Sequence, residues 1–196
     1  MIIIGIAGRA RHGKNTAGDA MLAELQAQGK VAVQAAFADR VKAAAYSTAL
    51  LAGLLTPESI RAAMESKPGW MRDLLQAIGE SFRKVDPKFW VNALFEQLEP
   101  GVEDVVIITD VRYENEAEEI RKRGGKILKM QRIVKDTNKI LGTKVRLPYY
   151  APGTDAVHPS ESEVDLIEGD ITIEAEGGMV EYIQEMAREA ARKWVT

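Results

Sequence analysis

The first nineteen residues, MIIIGIAGRARHGKNTAGD, constrain the fold more than any other stretch. An apolar, β-branched run closes on glycine and reads as a strand buried on both faces, the pattern of a parallel sheet. Residues 14–28 then read as a helix stopped by Gly29. Between them, Gly8, Gly13, Lys14 and Thr16 fit G-x-x-x-x-G-K-x-[ST], a phosphate-loop pattern with one residue between lysine and hydroxyl. Glycines let backbone N–H groups turn inward around a phosphate, and the following helix presents its positive end to it. The lysine can reach β- and γ-phosphates, and the hydroxyl can meet Mg²⁺. A glycine-rich turn with a solvated lysine is the plainer alternative; the strand–loop–helix context favours phosphate.

The remaining chain alternates in the same way. Strand patterns occur at 31–38, 105–109, 126–131 and 170–174, and helical ones at 114–123 and 179–194. Alternation of this kind implies parallel pairing through right-handed crossovers, a doubly wound α/β sheet of five strands with helices on both faces. Two segments interrupt it. Residues 39–98 carry no strand pattern but about four helical pieces, and are expected to be a helical insertion. Residues 132–163 hold Arg132, Lys135, Lys139, Lys144 and Arg146 with little periodicity, as a lid or binding loop would.

Composition narrows the function classes. At 196 residues the chain suits one domain with inserted lobes. A formal charge of −3 argues against stable nucleic-acid binding through phosphate neutralisation. The absence of cysteine removes disulfides, thiolate chemistry and the commonest zinc sites, and fits a reducing cytoplasm. The opening run is short and lacks a basic leader, so a buried strand is expected rather than a signal peptide, and no run reaches membrane-spanning length.

Asp110 stands at the end of VVIIT, where an acid at the carboxyl edge of the sheet can hold Mg²⁺ through water or orient a nucleophile. Arg112 projects to the same edge. Within residues 69–83, Arg72, Gln76, Gly79 and Arg83 share a helical stripe about 60° wide, beside an apolar stripe of Met71, Leu75, Ile78 and Phe82. Paired with a phosphate loop, two guanidiniums and an amide on one flank suit a second phosphate-bearing substrate. Transfer between two phosphorylated molecules also needs cations to offset repulsion, and Arg132 is the first candidate, Arg146 the second.

These residues resemble the phage-type deoxynucleoside monophosphate kinases, a branch of the P-loop nucleoside monophosphate kinases. The resemblance rests on GRARHGKNTAGD, FADRVKAAAY (37–46), RDLLQAIGESFRKVDPKFWVNAL (72–94), VIITDVRYENEAEEIRKRGGKILKMQR (106–132), HPSESE (158–163) and DITIEAEGGMVEYI (170–183), in that order. It implies a single three-layer P-loop kinase domain over 1–196, with 39–98 as the monophosphate-binding lobe and 132–163 as the lid. It further implies ATP-dependent, Mg²⁺-assisted conversion of a deoxynucleoside monophosphate to its diphosphate in the cytoplasm, that of the host if the chain is phage-encoded.

By the same resemblance, Gly8, Arg11, His12, Gly13, Lys14, Asn15 and Thr16 would bind ATP, and Thr16 and Asp110 would serve the metal. Arg72, Gln76, Arg83, Trp90 and Arg112 would bind the acceptor, with Phe89 and Trp90 shaping a base pocket or simply packing. Lys14, Asp110, Arg112 and Arg132 would be catalytic. Four places depart from the pattern: His12 stands where serine is frequent, Asn15 where aspartate is, Arg40 where proline is, and EAEGG where an asparagine before glycine is common. Competing expectations are another P-loop small-molecule kinase, such as one acting on dephospho-coenzyme A, or a non-catalytic nucleotide-binding protein. Accepted base, sugar preference, dimerisation and the roles of His158, Ser160 and Glu161 stay open at this level.

Overall fold

The opening strand is the middle of the sheet. In the computed structural model, which describes residues 1–66, 68–98, 101–135, 144–145 and 162–195, β1 (Ile2–Ala7) lies between β3 (Val105–Val111) and β4 (Lys126–Arg132). The edges are β2 (Ala32–Ala35), beyond β3, and β7 (Ile171–Ala175), beyond β4, and all four pairings are parallel. Ile3, Ile4, Ile6 and Ala7 are all buried, as a central strand covered on both faces requires.

Alternation along each strand sorts the side chains onto two faces. Ile4, Ile6, Val105, Ile107, Leu128, Met130 and Ile173 share one face with Met21 and Leu25 of α1 (Lys14–Ala27) and Ile183 and Ala187 of α7 (Val180–Trp194). On the other face lies α6 (Glu114–Lys122): Ile120 and Ile127 crowd the space beside Gly5, where an added Cβ would sit 2.7 Å from Ile120 Cδ1. A parallel sheet thus carries helices on both faces. The carboxylate of Glu24 on α1 accepts hydrogen bonds from Arg192 on α7 at 2.9 and 3.1 Å, tying the two helices together at the surface.

The second and third strands and the segment after Arg132 differ most from the sequence expectation. The second strand ends at Ala35, because Phe37 is buried and opens α2 (Phe37–Leu51), packing edge-on against Phe95 with ring centroids 6.3 Å apart. Tertiary packing overrides the extended pattern there. The third strand runs on through Asp110 to Val111, which pairs with Ala7 after a register shift. The segment after Arg132, expected to lack regular structure, contains an antiparallel pair, β5 (Val134–Lys135) and β6 (Lys144–Val145). Two-residue strands carry no detectable period, so no sequence pattern announces them.

Contacts divide the chain into two compact units, residues 1–35 with 99–196, and residues 36–98. The second unit holds α2, α3 (Ile60–Ser66), α4 (Gly69–Val85) and α5 (Phe89–Phe95). Its core is Ala45, Tyr46, Ala49, Ala63 and Met71, with Leu74, Leu75 and Ile78 packed against it. No helix among the described residues is long and apolar enough to cross a membrane.

The Glu24–Arg192 pair sets one acid-dependent property. Hydrogen bonds from Arg192, then from Gln28, hold the Glu24 carboxyl below its ordinary value of 4.5. A depressed carboxylate contributes stability that is present above 4.5 and lost as pH falls through the folded value. Replacing Glu24 by Gln is therefore expected to lower the thermal midpoint slightly at neutral pH and to reduce its drop on acidification below 4.5, as measured by melting across pH.

Candidate active site

Neighbouring strands send the chain to opposite faces at one edge of the sheet. After β1 the chain enters α1, and after the adjacent β3 it enters α6 on the other face. Such a divergence opens a crevice at the carboxyl ends of the strands, the usual ligand position of open α/β sheets. The pairing of Ala7 with Val111 on one side and Lys129 on the other sets residues 8–13 between the ends of β3 and β4.

The loop is built by close approach and unusual backbone. A Cβ on Gly8 would lie 2.7 Å from the Met130 carbonyl oxygen, so only glycine lets the loop leave β1 flush against β4. Gly13 adopts φ 87°, in the left-handed region, and hands the chain to α1. Arg11, at φ 61°, is the single non-glycine residue with positive φ among the described residues, a conformation costing on the order of 1–3 kcal/mol that clusters at functional sites. No side chain caps α1 and its first turn is without acid, so its positive end faces the loop unneutralised.

Lys14 turns back over this loop. Its side chain is 8% exposed, and Nζ donates to the carbonyls of Gly8 at 2.7 Å and Arg9 at 2.8 Å. An ammonium so nearly removed from water requires such oxygen partners, and phosphate oxygens are of the same kind. Asn15 and Thr16 follow on the first turn, Asn15 exposed and Thr16 half-buried. His12 is buried rather than turned outward: Nδ1 lies 3.3 Å from the Met130 carbonyl and 3.4 Å from the Arg132 N–H. It accepts from Arg132 when neutral at Nδ1 and donates to Met130 when protonated there. In either form the ring docks the loop on the end of β4.

No family model matches the chain, and no curated protein does.

On the β3 side, Asp110 and Arg112 are half-buried at the strand end. The turn that carries them is held by Glu116, 3% exposed, whose Oε2 accepts from the N–H of Arg112 at 2.8 Å and of Tyr113 at 3.1 Å. Sequence reasoning passed over Glu116, although an acid three residues past the helix boundary is a recognisable signal. On the β4 side, the Arg132 guanidinium lies so close over Gly177, in the turn after β7, that any side chain at 177 would collide with it. Among the described residues there is no group of three or more His, Cys, Asp or Glu that could hold a metal ion. Magnesium sites that keep water and lean on substrate phosphates use one or two protein groups, and Thr16 and Asp110 supply donors of that type.

In the helical unit, Arg72 and Gln76 are exposed one turn apart on α4, and Arg83 is half-buried two turns on. Gly79 is buried between them; an added Cβ would be 3.2 Å from a terminal nitrogen of Arg83 and 3.6 Å from Val41. Trp90 is 3% exposed and donates its indole N–H to the Gly79 carbonyl at 3.0 Å, which fastens α5 to α4. Phe82 was expected in the packed stripe but is 39% exposed, with its ring 4.5 Å from Phe89 and 5.3 Å from Trp90. Lys139, Arg146, His158, Ser160 and Glu161 lie outside the described residues.

The Glu116 support is open to a direct test. Glu116→Ala leaves two backbone N–H groups without that acceptor, and is expected to cost about 1–3 kcal/mol in urea unfolding. Glu116→Gln, which keeps an accepting oxygen, is expected to lose less.

Proposed function

We propose that this chain is a P-loop kinase that transfers the γ-phosphoryl group of ATP to a deoxynucleoside monophosphate. The observation that carries the reading is buried Lys14, whose ammonium is held over a glycine loop at the uncapped start of α1. A polyphosphate at that place would meet the lysine and the positive end of α1 together. The strand divergence beside it, with Asp110 and Arg112 on the neighbouring strand end, supports ligand binding at the same edge.

The helical unit supports a phosphorylated acceptor. Arg72 and Gln76 offer a fork and an amide from one exposed stripe, and Arg83 adds a second fork. Phe82 and Phe89 supply apolar ring surface near that stripe, suited to a nucleobase, while Trp90 supports them from beneath. Trp90 is accordingly a packing residue in this reading.

In the reaction, an oxygen of the acceptor monophosphate bonds to the γ-phosphorus as the bond to the ADP oxygen breaks. A phosphate monoester is largely dianionic at neutral pH, its second pKa being about 6. The attacking oxygen therefore needs no general base, and Asp110 is assigned to the metal rather than to a proton. Magnesium, when bound, offsets charge on the β- and γ-oxygens. Lys14 draws charge from the transferred group, the loop N–H groups orient the β-phosphate, and Arg112 and Arg132 offset repulsion between the two polyanions.

A coupled assay for ADP across deoxy- and ribonucleoside monophosphates, nucleosides and dephospho-coenzyme A decides among acceptors. Release that depends on a deoxynucleoside monophosphate is expected. Release with dephospho-coenzyme A alone would assign a different kinase, and ATP binding without transfer to any acceptor would leave a non-catalytic nucleotide binder. Lys14→Ala is expected to lower turnover by about a hundredfold or more, with a far smaller change in the melting midpoint.

Gly79 separates acceptor binding from stability. In a helix interior Gly→Ala ordinarily stabilises by about 0.5–1 kcal/mol, but here the methyl presses on Arg83. Gly79→Ala is expected to raise the acceptor KM while the melting midpoint holds or rises; steady-state kinetics and thermal melting read the two effects independently.

A further inference from the structure

Arg9, the residue after the first loop glycine, does not reach into the crevice. Its Nε donates to Oδ1 of Asp165 at 2.9 Å and a terminal nitrogen donates to Oδ2, a two-pronged fork between residues 156 positions apart. The guanidinium side chain is 12% exposed and the carboxylate 53%. Asp165 is itself carried on a fixed support. Val164 and Ile167 on either side are each 1% exposed, and Lys129 of β4 donates to the backbone carbonyls of Asp165 at 2.9 Å and Ile167 at 2.6 Å.

The Arg9 peptide is also the hub of the loop. Its carbonyl accepts from Lys14 Nζ at 2.8 Å and from the His12 N–H at 3.3 Å. The residue whose carbonyl holds the lysine is thus the residue that the fork anchors. A guanidinium–carboxylate fork fixes orientation as well as distance, which a single contact cannot do.

We propose that Asp165 is a positioning residue: through its fork to Arg9 it holds the phosphate loop, and with it Lys14, in the conformation that takes a nucleoside triphosphate. The inference rests on the phosphate-loop reading and extends it to a residue far along the chain. Asp165 touches no reacting atom. Its effect falls on the donor nucleotide, because the group it orders is the donor loop, and the acceptor residues of the helical unit are untouched. Asp165 is 53% exposed, so a substitution there opens no cavity in the core, and melting read beside ATP affinity separates loop order from global stability.

The test compares the full-length wild type with Asp165→Asn, Asp165→Ala and Asp165→Glu, using calorimetric titration with ATP and magnesium, donor and acceptor KM values, and thermal melting. Asn and Ala are expected to weaken ATP binding and raise the donor KM about tenfold, the scale on which supporting partners act on the groups they orient. Acceptor KM and melting midpoint should stay near the wild-type values, and Glu, which keeps both fork oxygens, should restore most of the affinity. Unchanged ATP affinity in a folded Asn variant overturns the proposal, as does a Glu variant no better than Ala. A wild type that fails to bind ATP at all overturns the phosphate-loop reading, and this proposal with it.

Discussion

An ammonium withdrawn from water must be answered by oxygen, and that requirement organises the donor end of this molecule. Lys14 meets it with the carbonyls of Gly8 and Arg9, which fixes how the loop turns. The turn then needs glycine against the Met130 carbonyl and a left-handed residue at Gly13. These in turn set where α1 begins and which face of the sheet it covers. A neutral residue at position 14 would release both carbonyls, so the lysine helps to organise the loop as well as offering a charge to phosphate.

The surrounding frame holds the loop from two flanks. His12 docks it on the end of β4, and the Asp165 fork draws Arg9 toward the segment leading into β7. On the β3 side a single carboxylate oxygen of Glu116 arrests the Arg112–Tyr113 turn. Each restraint is a polar contact at the rim of an apolar sheet. Polar clips thus act together with the close packing of Gly8 on Met130 and of Gly13 on Ile183.

Much of the fold was legible in the sequence because its signals are local. The β-branched run, the loop glycines and the heptad-like spacing of the last helix each announce themselves within a dozen residues. Strand order was not legible: nothing in VVIIT says that it lies beside β1 rather than at an edge. Nor was the Arg9–Asp165 fork, since two ordinary charged residues 156 positions apart carry no shared pattern. Phe82 and Trp90 exchanged their expected characters for a related reason. A helical wheel assigns Phe82 to the packed side, but α5 brings Trp90 up to the Gly79 carbonyl and takes the buried position itself.

β1 draws both of its partners from far along the chain. β1 ends at Ala7, yet its two partners begin at Val105 and Lys126, so the middle of the sheet cannot close until more than half of the chain has been synthesised. Closing such long loops is entropically slow and leaves an apolar strand exposed in the interval. The helical unit is one continuous stretch, residues 36–98, and has no such wait. An apolar strand that waits for distant partners is open to wrong pairing for as long as the sheet is incomplete.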